Sequence, residues 1–322
     1  MNVSVPQNWL RPLGDTGLTV SAVCAGGSLI GSMPETFGYE VPREQGIATV
    51  RRVLTGPITF LDTSNGYSAG ESERRIGAAL SAAGGLPTDF VLATKVDPSP
   101  DGDFSGDRVR ASLEESLEHL GLSRVQLLYL HDPERMEFDY AMAPGGPVDA
   151  LVELRRQGLA EHIGVAGGPV PLLRRYVETG VFEVLITHNR WTLVDRSAGG
   201  LIDLAGQHGV AVVNAAVFGG GVLARGAGAL KKYAYRQAPP EIVERIQRME
   251  QICARFDVPL AAAALQFSVR DPRIAATIVG FSRPERVDET VRSAAWPVPE
   301  EVWEELEPLA APPEFWLDPP RP

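Results

Sequence analysis

Four side chains in the first half of the 322-residue chain could together move a proton. Ile58 to Leu61 is a short β-branched and aromatic run that reads as a buried strand, and it ends on Asp62. The turn that follows, 63–70, carries Tyr67, and 71–80 has helical spacing with Ile76 and Leu80 on one face. FVLATKV, 90–96, is a second apolar run with Lys95 near its end, and a third, Val125 to Leu130, runs into His131. A carboxylate, an ammonium and an imidazole at strand ends, with a phenol on the adjoining loop, are badly placed for packing and well placed for chemistry. A tyrosine with a pKa of about 10 is a poor acid near neutral pH. An ammonium beside it favours the phenolate, and a buried carboxylate holds that ammonium charged and in place. A histidine can then orient the substrate oxygen or relay the proton. Taken singly, Asp62 could cap a helix, Tyr67 pack, Lys95 lie at the surface and His131 close a turn. Together, on consecutive strand units, they suit proton transfer coupled to hydride transfer.

For those side chains to converge, the strands must be parallel neighbours. Leu18 to Val23 reads as a first strand running into Ala25-Gly26-Gly27-Ser28, small residues that let a ligand approach the backbone. Helical spacing follows at Arg43 to Leu54, and again at Asp107 to Leu120, where Val109, Leu113, Leu117 and Leu120 share a face and Gly121 closes the helix. Further on, helices are expected at 148–156, 171–178, 201–207, 242–256, 284–291 and 300–309, and strands at 162–165, 182–187, 210–214 and 276–279. Strand and helix thus alternate about eight times. Near-continuous apolar strands separated by helices argue for a parallel sheet covered on both faces. About eight such units fit a closed (β/α)8 TIM barrel, whose sites lie at the C-terminal ends of the strands.

Composition bounds the rest. The length would allow two domains, but no linker-like break appears, and residues 1–322 are read as a single barrel domain. A hydrophobic content of 44% permits a large core. The net charge of −11, with no basic stripe, disfavours nucleic-acid or anionic-membrane partners. Cys24 and Cys253 are too few for a disulfide framework or a zinc site. The start, MNVSVPQNWL, lacks a signal-peptide pattern, and no apolar run reaches the roughly 20 residues of a membrane span. A cytoplasmic enzyme with a small-molecule partner is the expectation.

Over nearly its whole length the chain resembles the aldo-keto reductases. The carrying motifs are LDTSNGYSAGESERRIG, LATKVD and LLYLHDPE, which set Asp62, Tyr67, Lys95 and His131 on that family's catalytic tetrad. RPLGDTGLTVSAVCAGGS resembles its opening hairpin and first strand. LHDPE, NAAVFGGGVLA and VGFSRPERVDE are most similar to the branch of sugar and pyridoxal dehydrogenases. The resemblance implies a (β/α)8 barrel with an N-terminal β-hairpin and an extra C-terminal helix. It also implies NADP or NAD as cofactor, lying across the rim without a Rossmann fold, and an aldehyde, ketone or sugar hemiacetal as substrate.

Residues expected at the cofactor are Gly26, Gly27, Ser28, Asn189, Val217, Phe218, Gly219, Gly221, Gly280, Ser282 and Arg286. Gly219 to Ala224 also satisfies G-x-G-x-x-A, the Rossmann fingerprint, but it follows the seventh strand unit and no acid closes a second strand about 20 residues on. Those glycines are read as wrapping the pyrophosphate, and the helix start at 284–286 as holding the adenosine phosphate. Three positions depart from the family: Ala166-Gly167 replace a Ser-Asn pair that binds the carboxamide, Ala215 replaces a stacking tyrosine, and Gly280-Phe281 replace Lys-Ser. Two other functions compete: a non-catalytic dinucleotide-binding regulatory subunit on the same fold, and a Schiff-base lyase using Lys95.

Overall fold

A computed structural model describes residues 5–228 and 232–319. The outermost residues of the N-terminal segment and of the Pro-rich tail lie outside that range. An antiparallel hairpin, β1 (Leu10–Pro12) and β2 (Thr19–Ser21), opens the chain. Its Leu13 and Val20 are fully buried and pack with Cys24, Phe60 and Tyr129 inside the barrel, so the hairpin stoppers the barrel from one end. The strand expected over 18–23 is therefore two elements. The chain turns at Ala22, leaves the hairpin and starts the barrel as β3 (Val23–Gly26). A continuous apolar run cannot reveal that break, because both sides of it are buried.

The barrel continues through β4 (Phe60–Asp62), β5 (Val91–Val96), β6 (Val125–His131), β7 (Ala160–Gly167), β8 (Val184–His188) and β9 (Ala211–Ala215). A two-residue hairpin, β10 (Lys232–Tyr233) and β11 (Arg236–Gln237), precedes the closing strand β12 (Ile274–Gly280). All eight barrel strands are parallel and closed in the order β12-β3-β4-β5-β6-β7-β8-β9. Asp62 pairs in register with Ala93, Lys95 with Tyr129, and Gly280 with Gly26. Adjacent strands thus carry the four chemistry-bearing positions and the first and last glycine segments to one rim.

Outside the strands, α1 (Pro34–Phe37) and α2 (Arg43–Leu54) are followed by α3 (Glu71–Ala83) and α4 (Gly106–Leu120). The expected stripe holds in α4: Val109, Leu113 and Leu120 are buried, Leu117 packs against them, and Ser105 caps the start by accepting from the Arg108 amide. Gly121 ends it in the left-handed region at φ 68°, where a Cβ would be strained. Next come α5 (Phe138–Met142), α6 (Pro147–Arg156), α7 (Val170–Glu178), α8 (Gly199–Gln207) and α9 (Val222–Arg225). The last four are α10 (Pro240–Arg255), α11 (Leu260–Val269), α12 (Pro284–Ala294) and α13 (Glu300–Leu306). The expected helix over 300–309 becomes a single turn of 3-10 helix from Glu307, where Pro308 lacks an amide to continue the ladder. α11 was not expected. LAAAALQFSV is apolar nearly all round, so it has no polar face for a 3.6-residue period to show. Among the described residues no single helix is long and apolar enough to cross a membrane.

Candidate active site

The rim at β4, β5 and β6 brings together all four residues singled out in the sequence. Asp62 and Lys95 leave neighbouring strands and meet with Lys95 Nζ 2.6 Å from Asp62 Oδ2. The ammonium also donates to the Thr63 carbonyl at 2.6 Å and to the Tyr67 hydroxyl at 3.2 Å. Asp62 and Lys95 are each only 2% exposed, so neither charge is satisfied by water. Tyr67 sits on the loop after β4, partly open at the rim, and meets the His131 ring edge-on at 5.6 Å.

Burial alone would lower the Lys95 pKa, but the charge of Asp62 and the Tyr67 hydroxyl outweigh it and hold the ammonium above its ordinary value. Burial pushes the Asp62 carboxyl up while Lys95 pulls it back, and the 2.6 Å contact keeps the two as an ion pair. That pairing opposes a Schiff-base role, which requires a neutral amine. One expectation is reversed. Burial pushes the Tyr67 phenol up to about 12, with Lys95 lowering it and Asp62 raising it again. The sequence shows the ammonium next door but not the desolvation, which here is the larger effect.

The structure adds residues that the sequence reading missed. Asp97, 4% exposed, lies beyond β5 and accepts from the Gly66 amide at 2.7 Å and faces His131 Nδ1 at 2.7 Å. Ser64 donates to Asp97 and lies 3.1 Å from the same imidazole nitrogen. A signal for both existed: Ser64 is two residues past Asp62, and Asp97 two past Lys95. An extended chain returns to the same side every second residue. Beside His131, Asp132, Glu134 and His188 bring polar atoms within 4.8 Å of one another. Burial pushes His188 down to about 4 and leaves it neutral. The Glu134 carboxylate takes the space beside Gly167: Oε1 accepts from the Gly168 amide at 3.3 Å, and Oε2 stands 2.9 Å from where a Gly167 Cβ would be.

The expected cofactor residues fall into two groups. Gly26, Gly27, Ser28, Gly280, Ser282 and Arg286 gather where β12 meets β3, but packing already accounts for two of them. A Cβ on Gly26 would stand 2.9 Å from Ile278, and one on Gly27 would stand 2.8 Å from Thr63. Arg286 is 54% exposed at the side chain and pairs with Glu289 at 3.0 Å. Asn189, Val217, Phe218, Gly219 and Gly221 lie after β8 and β9. Val217 is fully buried in the core, so its backbone alone can face a ligand. Gly219, Gly220 and Gly221 all have positive φ, and a Cβ on Gly219 would stand 2.5 Å from the Tyr233 ring. The helix after them, α9, has four residues; with the closed barrel, that removes the Rossmann reading. Asn189 is 3% exposed, and its Oδ1 is buried with no partner among the described residues. An amide donor, such as that of a nicotinamide carboxamide, would satisfy it.

Residues 23–311 match the aldo/keto reductase family. The chain is 31% identical over 318 residues to a D-threo-aldose 1-dehydrogenase from a Pseudomonas species, covering 90% of this chain and 94% of that protein. It is 32% identical to L-galactose dehydrogenase of Arabidopsis thaliana, over 88% of this chain and 86% of that one. It is 30% identical to pyridoxal 4-dehydrogenase of Microbacterium luteolum, over 92% and 96%. An aldo-keto reductase from Bacillus halodurans, solved in its holo form, shares the fold with a TM-score of 0.76 at 23% identity, over 94% of this chain and 96% of that one.

Proposed function

The chain belongs to the aldo/keto reductase family and is an NAD(P)-dependent oxidoreductase, and we propose that it acts chiefly as a dehydrogenase of sugars or similar cyclic hydroxyls, with Tyr67 as its acid/base. The observation that carries the second half is the Tyr67 hydroxyl 3.2 Å from Lys95 Nζ, itself 2.6 Å from Asp62. A bound nicotinamide supplies or takes the hydride. In oxidation the Tyr67 phenolate accepts the substrate's hydroxyl proton as hydride leaves the same carbon; in reduction the phenol returns a proton to the carbonyl oxygen. Lys95 stabilises the phenolate, Asp62 holds Lys95 charged, and His131 orients the oxygen. Asn189 would hold the carboxamide, the backbone at Gly219 and Gly221 the pyrophosphate, and Gly280, Ser282 and Arg286 the adenosine end. The whole of 1–322 serves as one catalytic domain, and the two buried free thiols, Cys24 and Cys253, suit a reducing cytoplasm.

Support for the direction comes from the relatives, whose names specify an aldose, L-galactose and pyridoxal, each with the word dehydrogenase. The absence of Lys at Gly280 also weakens selection for a 2′-phosphate. The test is an assay of L-fucose, D-arabinose, L-galactose and pyridoxal with NAD against simple aldehydes with NADPH. Higher kcat/KM for the cyclic hydroxyls is expected. A preference of about tenfold or more for plain aldehydes, roughly 1.4 kcal/mol, overturns the dehydrogenase reading.

A further inference from the structure

We infer that Asp97 is a positioning residue for His131: it fixes a proton on Nδ1 and so makes Nε2 the nitrogen that meets the substrate oxygen. The inference rests on the reading above in which His131 orients that oxygen. The geometry is specific. Asp97 Oδ1 faces Nδ1 at 2.7 Å, and Oδ2 is held by the Gly66 amide at 2.7 Å and by the Ser64 hydroxyl. The Ser64 hydroxyl, 3.1 Å away, already donates to Asp97, so it has no proton to offer a bare Nδ1 and can only accept from Nδ1–H. Among the described residues Nε2 forms no hydrogen bond; the Asp132 carboxylate stands off at 3.7 Å.

The consequence is directional. In a neutral imidazole one nitrogen carries the proton and the other a lone pair. With Nδ1–H given to Asp97, neutral His131 presents only a lone pair at Nε2, which cannot donate to the substrate oxygen and would compete with Tyr67 for the hydroxyl proton. The imidazolium presents N–H there and can donate to a carbonyl. Holding the reacting oxygen through an N–H at Nε2 therefore belongs to the charged ring, and Asp97 sets the pH at which that N–H is present.

The groups facing His131 are Asp97, Asp132, Tyr67, Lys95, Asp62 and His188. Burial lowers the imidazole pKa, but Asp97, and then Asp132, outweigh burial and Lys95 and raise it. Asp97 itself is held well below the usual carboxylate range: burial would raise it, and His131, Ser64 and the Gly66 amide more than reverse that.

The test is imidazole nitrogen NMR of the full chain without substrate, from about pH 5 to about pH 10, with His131 assigned by its loss in His131→Gln. The parent is expected to hold neutral His131 as the Nδ1–H tautomer and to titrate above the ordinary value of about 6.5. Asp97→Asn should lower that midpoint by about one unit or more, and kcat/KM against pH should shift by the same amount while cofactor affinity holds. In a His131→Gln background Asp97→Asn should cost nothing further. An Nε2–H tautomer in the parent, or a midpoint unmoved by Asp97→Asn, overturns the inference. Should Asp97→Asn fail to fold, the parent tautomer still decides, and Ser64→Ala supplies the milder perturbation. None of these spectra depends on turnover, so failure of the catalytic reading would show separately, as unchanged activity in Tyr67→Phe.

Discussion

The rim has two unlike halves. Where β4, β5 and β6 end, the chemistry is in side chains: a buried ion pair, a phenol and an imidazole with its own carboxylate. Where β8, β9, β12 and β3 end, most of it is in the backbone, in glycines at positive φ after β9, beside an Asn189 side-chain Oδ1 with no partner among the described residues. Charge buried in the first half is expensive and must be paired to persist. The second half presents amides that cost little to keep and that a ligand's phosphates can reach. The two halves should therefore respond to substitution in different currencies.

The largest effect is expected in the ion pair. Lys95→Met leaves Asp62 buried without its cation and should destabilise the fold by about 3–5 kcal/mol, whereas Lys95→Met with Asp62→Leu should recover most of that. Urea unfolding of the two variants measures it; a loss below about 1 kcal/mol in Lys95→Met would mean that the pair is not dry, and the contrast between the halves collapses.

Next is the phenol. Tyr67→Phe should lower kcat by about 100-fold or more with cofactor affinity unchanged. With the phenol pushed up to about 12, it stays protonated through the mildly alkaline range. The phenol's share of reduction should therefore hold over that range, while its share of oxidation climbs about tenfold per pH unit as phenolate accumulates. Kinetics in His131→Gln, which removes the second titrating group, isolate this profile. An oxidation rate that levels off near pH 8 would mean that Lys95 and the bound cofactor overcome burial.

The smallest effect belongs to Arg286, an exposed charge in the backbone half. Arg286→Ala should weaken NADPH by about tenfold, roughly 1.4 kcal/mol, and NADH hardly at all, because Glu289 and solvent already share that guanidinium. Equal titration curves for parent and variant with both cofactors would remove Arg286 from the site.

Alternating apolar runs and helical stripes, read along the chain, were enough to specify the barrel, because both periods follow from local backbone geometry. The same reading found Asp62, Tyr67, Lys95 and His131, since a charged group at the end of an apolar strand conflicts with packing and so stands out. α11 escaped it because a helix buried on nearly all sides has no contrasting face, and the break at Ala22 because both of its flanks are buried.

What the tertiary structure alone decided is how much each group is desolvated and what stands opposite it. Lys95 beside Tyr67 is visible in a motif, but the pKa of the phenol depends on every atom that excludes water from it, and burial won. Asp97 reaches His131 across 34 residues of sequence, and Glu134 fills the space that Gly167 leaves open. Both contacts join residues from different strand units. The distance between such units is set by closure of the barrel, which no local pattern encodes.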